Sequence, residues 1–138
     1  MIIQKKLSIS TKGFNDIIDL TPSLRDFVQE SNLHNGHVLV FVSGSTGGLT
    51  TIEYEPGLLR DLPEMLEKIA PMGVRYHHDD TWHDGNGYAH LRAALIGPSI
   101  TIPFQNSAMQ LGTWQQVVFI DFDNRSRRRD LHVQIYGE

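Results

Sequence analysis

From His90 onward the sequence is a succession of short apolar runs cut apart by turn residues, and this limits the folds open to the chain more than any other feature. The runs read HLRAALI, SITIPF, WQQVVFIDFD and DLHVQIY, with Gly, Pro, Asn and Ser between them. Short runs bounded by such turn formers predict consecutive strands. Upstream, Ile2 to Ile9 alternates, with Ile3, Leu7 and Ile9 on one parity, and reads as another strand. Phe14 to Leu20 is a shorter candidate. The stretch HVLVFVS, residues 37–43, is nearly all apolar and predicts a strand covered on both faces.

Two helices interrupt this pattern. In LTPSLRDFVQES, Thr21 is the expected N-cap and Pro22 takes the first helical position, where its missing N–H costs nothing. Leu24, Phe27 and Val28 then share a face. In residues 58–71, Leu58, Leu62, Met65, Leu66 and Ile69 form one stripe, and Pro63 within it predicts a kink or restart. The expected order is β-β-α-β-β-α-β-β-β-β. That is an α+β class, a single domain over residues 1–138 with mixed or antiparallel sheets and two main helices on one side.

A chain of 138 residues can build one core unaided. Its net charge of −4 argues against general nucleic-acid binding. The absence of Cys removes disulfides and thiolate metal sites and fits a reducing, cytoplasmic setting. MIIQKKLSIS does not read as a signal peptide, and no apolar run reaches the roughly 18–20 residues of a membrane span. The expectation is therefore a cytoplasmic protein without nucleic-acid or membrane partners.

The chemistry is concentrated in YHHDDTWHDGNGYAH, residues 76–90, which is either a solvated loop or the wall of a site. Gly85, Asn86 and Gly87 are turn formers that could fold His90 back towards His78. Imidazoles suit zinc, and Asp79, Asp84 and Glu53 could add oxygen ligands, although the spacing matches no strong metal signature. Glu53, on a strand parity with Thr51, could be a base, a ligand or an ordinary strand end. GSTGGLTTIEYEPG is a phosphate cradle or plain turn chemistry; it lacks the Gly-Lys-Ser/Thr ending of a P-loop. Trp114 could stack on an aromatic ring while Gln115 bonds its edge, or Trp114 could simply belong to the core. Arg92, two residues beyond His90 in a predicted strand, is expected on His90's face, as a phosphate ligand or paired with a carboxylate. The basic run NRSRRRD reads as a solvated hairpin turn or a phosphate contact.

Three blocks of this sequence together resemble one family. TTIEYEPGLLRDL, YHHDDTWHDGNGYAHLRAALIGPSITIPF and LGTWQQVVFIDFDNRSRRRDLHVQIYGE occur in the order found in the YjbQ-like, or UPF0047, family, sometimes labelled secondary thiamine-phosphate synthase. The resemblance implies a compact α+β domain that assembles as a homotrimer around a histidine-based polar site. Carried over residue by residue, it points to Tyr76, His78 and Asp79, to Asn86 and His90, to Glu53, and to Trp114 with Gln115. On that footing His78, His90 and Glu53 are the catalytic candidates. Asn86, Trp114 and Gln115 are the substrate contacts, joined by Arg92 from its expected strand position beside His90, and His78, His90 and Asp79 are the metal ligands, for a divalent cation such as zinc or magnesium. Many relatives carry His-Thr-Thr-Ala where this chain has Gly44-Ser45-Thr46-Gly47, so a three-histidine centre gives way to two histidines with carboxylate or water ligands. The implied reaction joins a pyrimidine diphosphate to a thiazole phosphate, giving thiamine phosphate and pyrophosphate. Another metal-assisted reaction on a phosphorylated small molecule, or a non-catalytic metabolite-binding trimer, are the alternatives.

Overall fold

The structure, a computed structural model, describes all residues from Met1 to Glu138. In chain order the elements are β1 (Ile2–Thr11), β2 (Asp16–Asp19), α1 (Thr21–Glu30), β3 (Asn35–Val42), β4 (Gly47–Ile52), α2 (Pro56–Ile69), α3 (His77–Trp82), α4 (Gly87–Ile96), β5 (Ser99–Gln105), β6 (Ala108–Met109), β7 (Gln116–Asp121) and β8 (Arg127–Gly137). The strands form a five-stranded sheet in the order β1-β8-β3-β5-β6 and a three-stranded sheet in the order β2-β7-β4. Every pairing is antiparallel.

The two sheets and the helices make three layers. The inner face of the large sheet, with Val38, Val40, Ile102, Leu131 and Val133, packs on Leu49, Val117 and Phe119 of the small sheet, and α1 adds Leu24 and Val28. The other face of the small sheet, with Val118 and Ile120, packs on Leu66 of α2 and Tyr88, Ala89 and Ala93 of α4. Strand β7 therefore contributes alternate residues to two cores, which explains its unbroken apolar run. The expectation of two-sided cover for residues 37–43 is corrected. Strand β3 alternates, with Val38, Val40 and Val42 buried and Phe41 41% exposed on the outer face.

Other readings shift in detail. Thr21 is the first helical residue rather than the cap. Its amide donates to Asp19 Oδ1 at 2.9 Å and its hydroxyl oxygen accepts from Val117 N at 2.9 Å, so Thr21 ties α1 to β7. Helix α2 starts at Pro56, with Glu55 capping its first amides, and runs unbroken through Pro63. The larger correction concerns HLRAALI, which is not a strand but most of α4, so the fold has four helices where two were expected. Ala, Leu and Arg are strong helix formers. The run looked strand-like because α4 is apolar almost all round, with Ala89 and Ala93 buried inside and Leu91 and Leu95 exposed outside.

Candidate active site

Helices α3 and α4 form a corner that brings His78 and His90 together by a route other than two strands. Helix α3 ends at His83, whose φ of 57° places it in the left-handed region and reverses the chain. Gly87 then opens α4 hard against Tyr76: a Cβ at Gly87 would lie 2.7 Å from Tyr76 Cβ, so only glycine permits the approach. The Gly87 amide donates to Asp79 Oδ1 at 3.0 Å, so a carboxylate of α3 sits at the N-terminus of α4. The result is that the His78 and His90 rings stack with centroids 4.1 Å apart and planes tilted by 37°.

Two carboxylates face His78 Nδ1, Asp79 Oδ1 at 3.4 Å and Asp84 Oδ1 at 3.6 Å. The donor atoms of His78, Asp79 and Asp84 all lie within 4.8 Å of one another. His90 does not belong to that set and meets His78 through its ring face; Asp84 stands in the place expected for it. His90 also separates two small hollows. One, about 220 Å³, lies among Tyr76, His77, His78, Gly87 and Leu91. The other, about 210 Å³, lies against Gly44, Ser45, Gly47 and Pro98.

Burial, and next the neighbouring His78 ring, hold the His90 pKa below its ordinary 6.5, against the opposing pull of Asp84, Asp123 and Asp79. The fold thus favours neutral imidazole. Stability from this group is complete above pH 6.5 and is lost as the pH falls through that value towards the folded pKa. In metal-free protein, NMR titration is expected to give a His90 midpoint below 6.5, moving upward in His78→Ala. A midpoint at or above the ordinary value contradicts this account.

Beneath the corner lies a buried charged network that the sequence reading did not anticipate. Asn86 Nδ2 donates to Asp123 Oδ1 at 3.2 Å, while Asn86 Oδ1 is buried without a partner. Asp123 also accepts from Thr46 Oγ1 at 3.1 Å and Arg127 Nη1 at 3.0 Å. Next to it, Arg129 forks onto both oxygens of Asp121, each at 2.8 Å, and Thr11 donates to Asp121 at 2.6 Å. Burial pushes both aspartates up, but these hydrogen bonds and cations outweigh it and leave both pKa values below 3.8. Asn124 Nδ2 donates to the Asp84 carbonyl at 2.8 Å, fixing the histidine loop to the segment that joins β7 to β8. The available signal was DFDN, two carboxylates in alternation closing an apolar strand.

The remaining candidates lie elsewhere. Arg92 does not share His90's face, because two residues on a helix are about 200° apart. Its guanidinium is 0% exposed and donates to Ala70 O at 2.9 and 3.0 Å, Asn15 Oδ1 at 2.9 Å and Glu67 Oε2 at 2.7 Å. It does pair with a carboxylate, but that of Glu67 rather than Asp79 or Glu53. Glu53, Trp114 and Gln115 cluster at the opposite end of the small sheet, since Gly47 pairs with Asp121 and Ile52 with Gln116. Strand β4 stops before Glu53, which is exposed. Trp114 is 73% exposed, not a core residue. Gln115 is held locally, donating to Thr51 Oγ1 at 3.1 Å and accepting from Gly112 N at 3.0 Å. Within one chain these three do not meet the histidines.

Fold and corner together define a small α+β protein with antiparallel sheets and a histidine-lined pocket beside paired carboxylates. The chain belongs to the family described as UPF0047 protein YjbQ-like, whose model matches residues 5–138. The UPF0047 protein of Archaeoglobus fulgidus is 38% identical over 124 residues, covering 90% of this chain and 94% of that protein. A YbjQ-like protein of Sulfolobus solfataricus superposes with a TM-score of 0.94 at 27% identity, over 100% of this chain and 99% of the other. A yjbq/upf0047 family protein of Clostridium acetobutylicum has a TM-score of 0.87 at 33% identity, over 96% and 99%. No helix is long and apolar enough to cross a membrane.

Proposed function

We propose that the α3–α4 corner is the centre of a metal-assisted reaction on a phosphorylated small molecule in the cytoplasm, with thiamine phosphate formation as its specific form. The observation that carries this is the convergence of His78, Asp79 and Asp84 within 4.8 Å, beside a His90 biased towards its neutral form. One imidazole and two carboxylates fit zinc or magnesium, and a bound cation would take up the charge developing on a diphosphate leaving group. In the specific reaction, the thiazole nitrogen's lone pair forms the N–C bond to the pyrimidine methylene as the C–O bond to diphosphate breaks. Pyrophosphate departs with that electron pair. His90 accepts a hydrogen bond or proton from the substrate, and Asn86, held by Asp123, orients it.

The proposed assembly is a homotrimer, in which the exposed Trp114 and Gln115 of one chain supply the aromatic and amide contacts missing from the histidine pocket of another. Leu91 and Leu95, 51% and 58% exposed next to His90, support cover of that side by a second copy. Light scattering is expected to give about three times the 15.6 kDa chain mass, and a monomer at micromolar concentration refutes the assembly.

The test of the site is calorimetric titration with zinc and magnesium. His78→Ala and Asp84→Ala are each expected to weaken binding at least about 10–100-fold, the loss typical of disturbing a metal shell. Absence of binding to the wild type, or unchanged affinity in both variants, ends the metal reading. Metal binding without pyrophosphate release from the pyrimidine and thiazole substrates removes the thiamine assignment alone.

A further inference from the structure

A further cavity, of about 300 Å³, lies between α1 and the segment that follows β5. Thr21, Arg25 and Gln29 follow one another at intervals of four residues and so present one face of α1 to it. The facing wall is the turn into β6 together with residues 111–116, whose Met109 and Leu111 are half-buried and apolar. This cavity is remote from His78 and His90, at the Gln116 end of β7 rather than the Asp121 end.

The charge balance of the lining is one-sided. Arg25 is its only ionised residue, and no carboxylate lines it. Arg25 takes part in none of the ion pairs of the fold, whereas Arg92, Arg127 and Arg129 are each held by an acid. The side chains of Gln29 and Thr113 are not engaged by other protein groups. The Thr21 oxygen accepts from Val117 N, which leaves its hydroxyl hydrogen to donate. The lining therefore offers a guanidinium fork and several neutral donors with no competing anion, beside a short apolar strip. Guanidinium N–H groups match the paired oxygens of carboxylate and phosphate.

We infer that this groove binds a small organic anion, with a carboxylate or phosphate head on Arg25 and a short apolar body against Met109 and Leu111. The site is separate from the histidine corner of its own chain and needs no metal.

Amide and guanidinium NMR shifts during titration with acetate, butyrate and inorganic phosphate test it. Wild-type shifts at Arg25, Gln29 and Thr113 are expected to saturate, with butyrate binding more tightly than acetate. Arg25→Gln, at an exposed position that leaves the fold intact, is expected to weaken binding at least about tenfold through loss of the charged fork. His78→Ala and His90→Ala are expected to leave it unchanged. Shifts that never saturate, or equal binding by wild type and Arg25→Gln, overturn the site. Loss of binding in the histidine variants assigns the anion to the corner instead and equally overturns it. Saturation by phosphate alone fixes the head group as phosphate and refutes the apolar strip, and acetate binding as tightly as butyrate refutes that strip too.

Discussion

Asp121→Ala is expected to destabilise the protein by about 3–5 kcal/mol, the usual cost of removing one partner from a buried ion pair. Arg129 is 4% exposed and Asp121 0%, so the variant leaves a buried guanidinium with only the Thr46 hydroxyl, at 2.8 Å, and the more distant Asp123, at 3.9 Å, to compensate it. The Thr11 hydroxyl loses its acceptor as well. For a chain of this length the midpoint of thermal unfolding should fall by roughly 10–20 °C. The Asp121→Ala/Arg129→Met double variant is expected to recover much of the loss, since the cost lies in the poorly compensated buried charge rather than in the absent bridge. A loss below about 1 kcal/mol in the single variant contradicts this account of the buried network. The same network gives an acid limit. Asp121 and Asp123 titrate below 3.8 when folded, so their stabilisation is complete above that pH and disappears as pH falls through it towards the folded values.

Arg92→Ala is the second substitution with a large expected effect, about 3 kcal/mol, and the cause differs. Glu67 is 50% exposed and rehydrates when its partner leaves, so little of the cost is electrostatic. The loss comes from a cavity where a fully buried side chain packed under Tyr88, its guanidinium 4.9 Å from that ring, and from the two hydrogen bonds that closed the end of α2 on Ala70 O. Glu67→Gln is accordingly expected to cost only about 1 kcal/mol, measured by denaturant unfolding. Equal losses in the two variants would show that the ion pair, not the packing, holds α4 against α2.

These two arginines mark where the sequence could and could not be read. The strand pattern was legible because alternation and turn residues are local signals, and β1, β5, β7 and β8 fall close to the expected positions. The meeting of His78 and His90 was legible from the turn chemistry between them. HLRAALI was not, because an apolar run with a buried inner face and an uncovered outer face carries no helical period. That single misreading carried Arg92 to the wrong side of the element, since period 2 puts it with His90 and period 3.6 opposes it. The Asp123–Asn86 bond joins segments 37 residues apart, and only tertiary packing brings them together. Glu53, Trp114 and Gln115 were grouped with the histidines by family resemblance alone, and within one chain the length of β4 separates them.

Strand β7 has a consequence for how the molecule comes apart. Its odd residues complete one core and its even residues the other, so neither layer can detach without uncovering the strand that the other layer needs. The two cores are therefore expected to unfold together in one cooperative transition. Asp123, two residues beyond the end of β7, anchors Asn86 and hence the corner. The α4 wall of the pocket, built on the same core as β7, is therefore expected to melt with the two sheets rather than ahead of them.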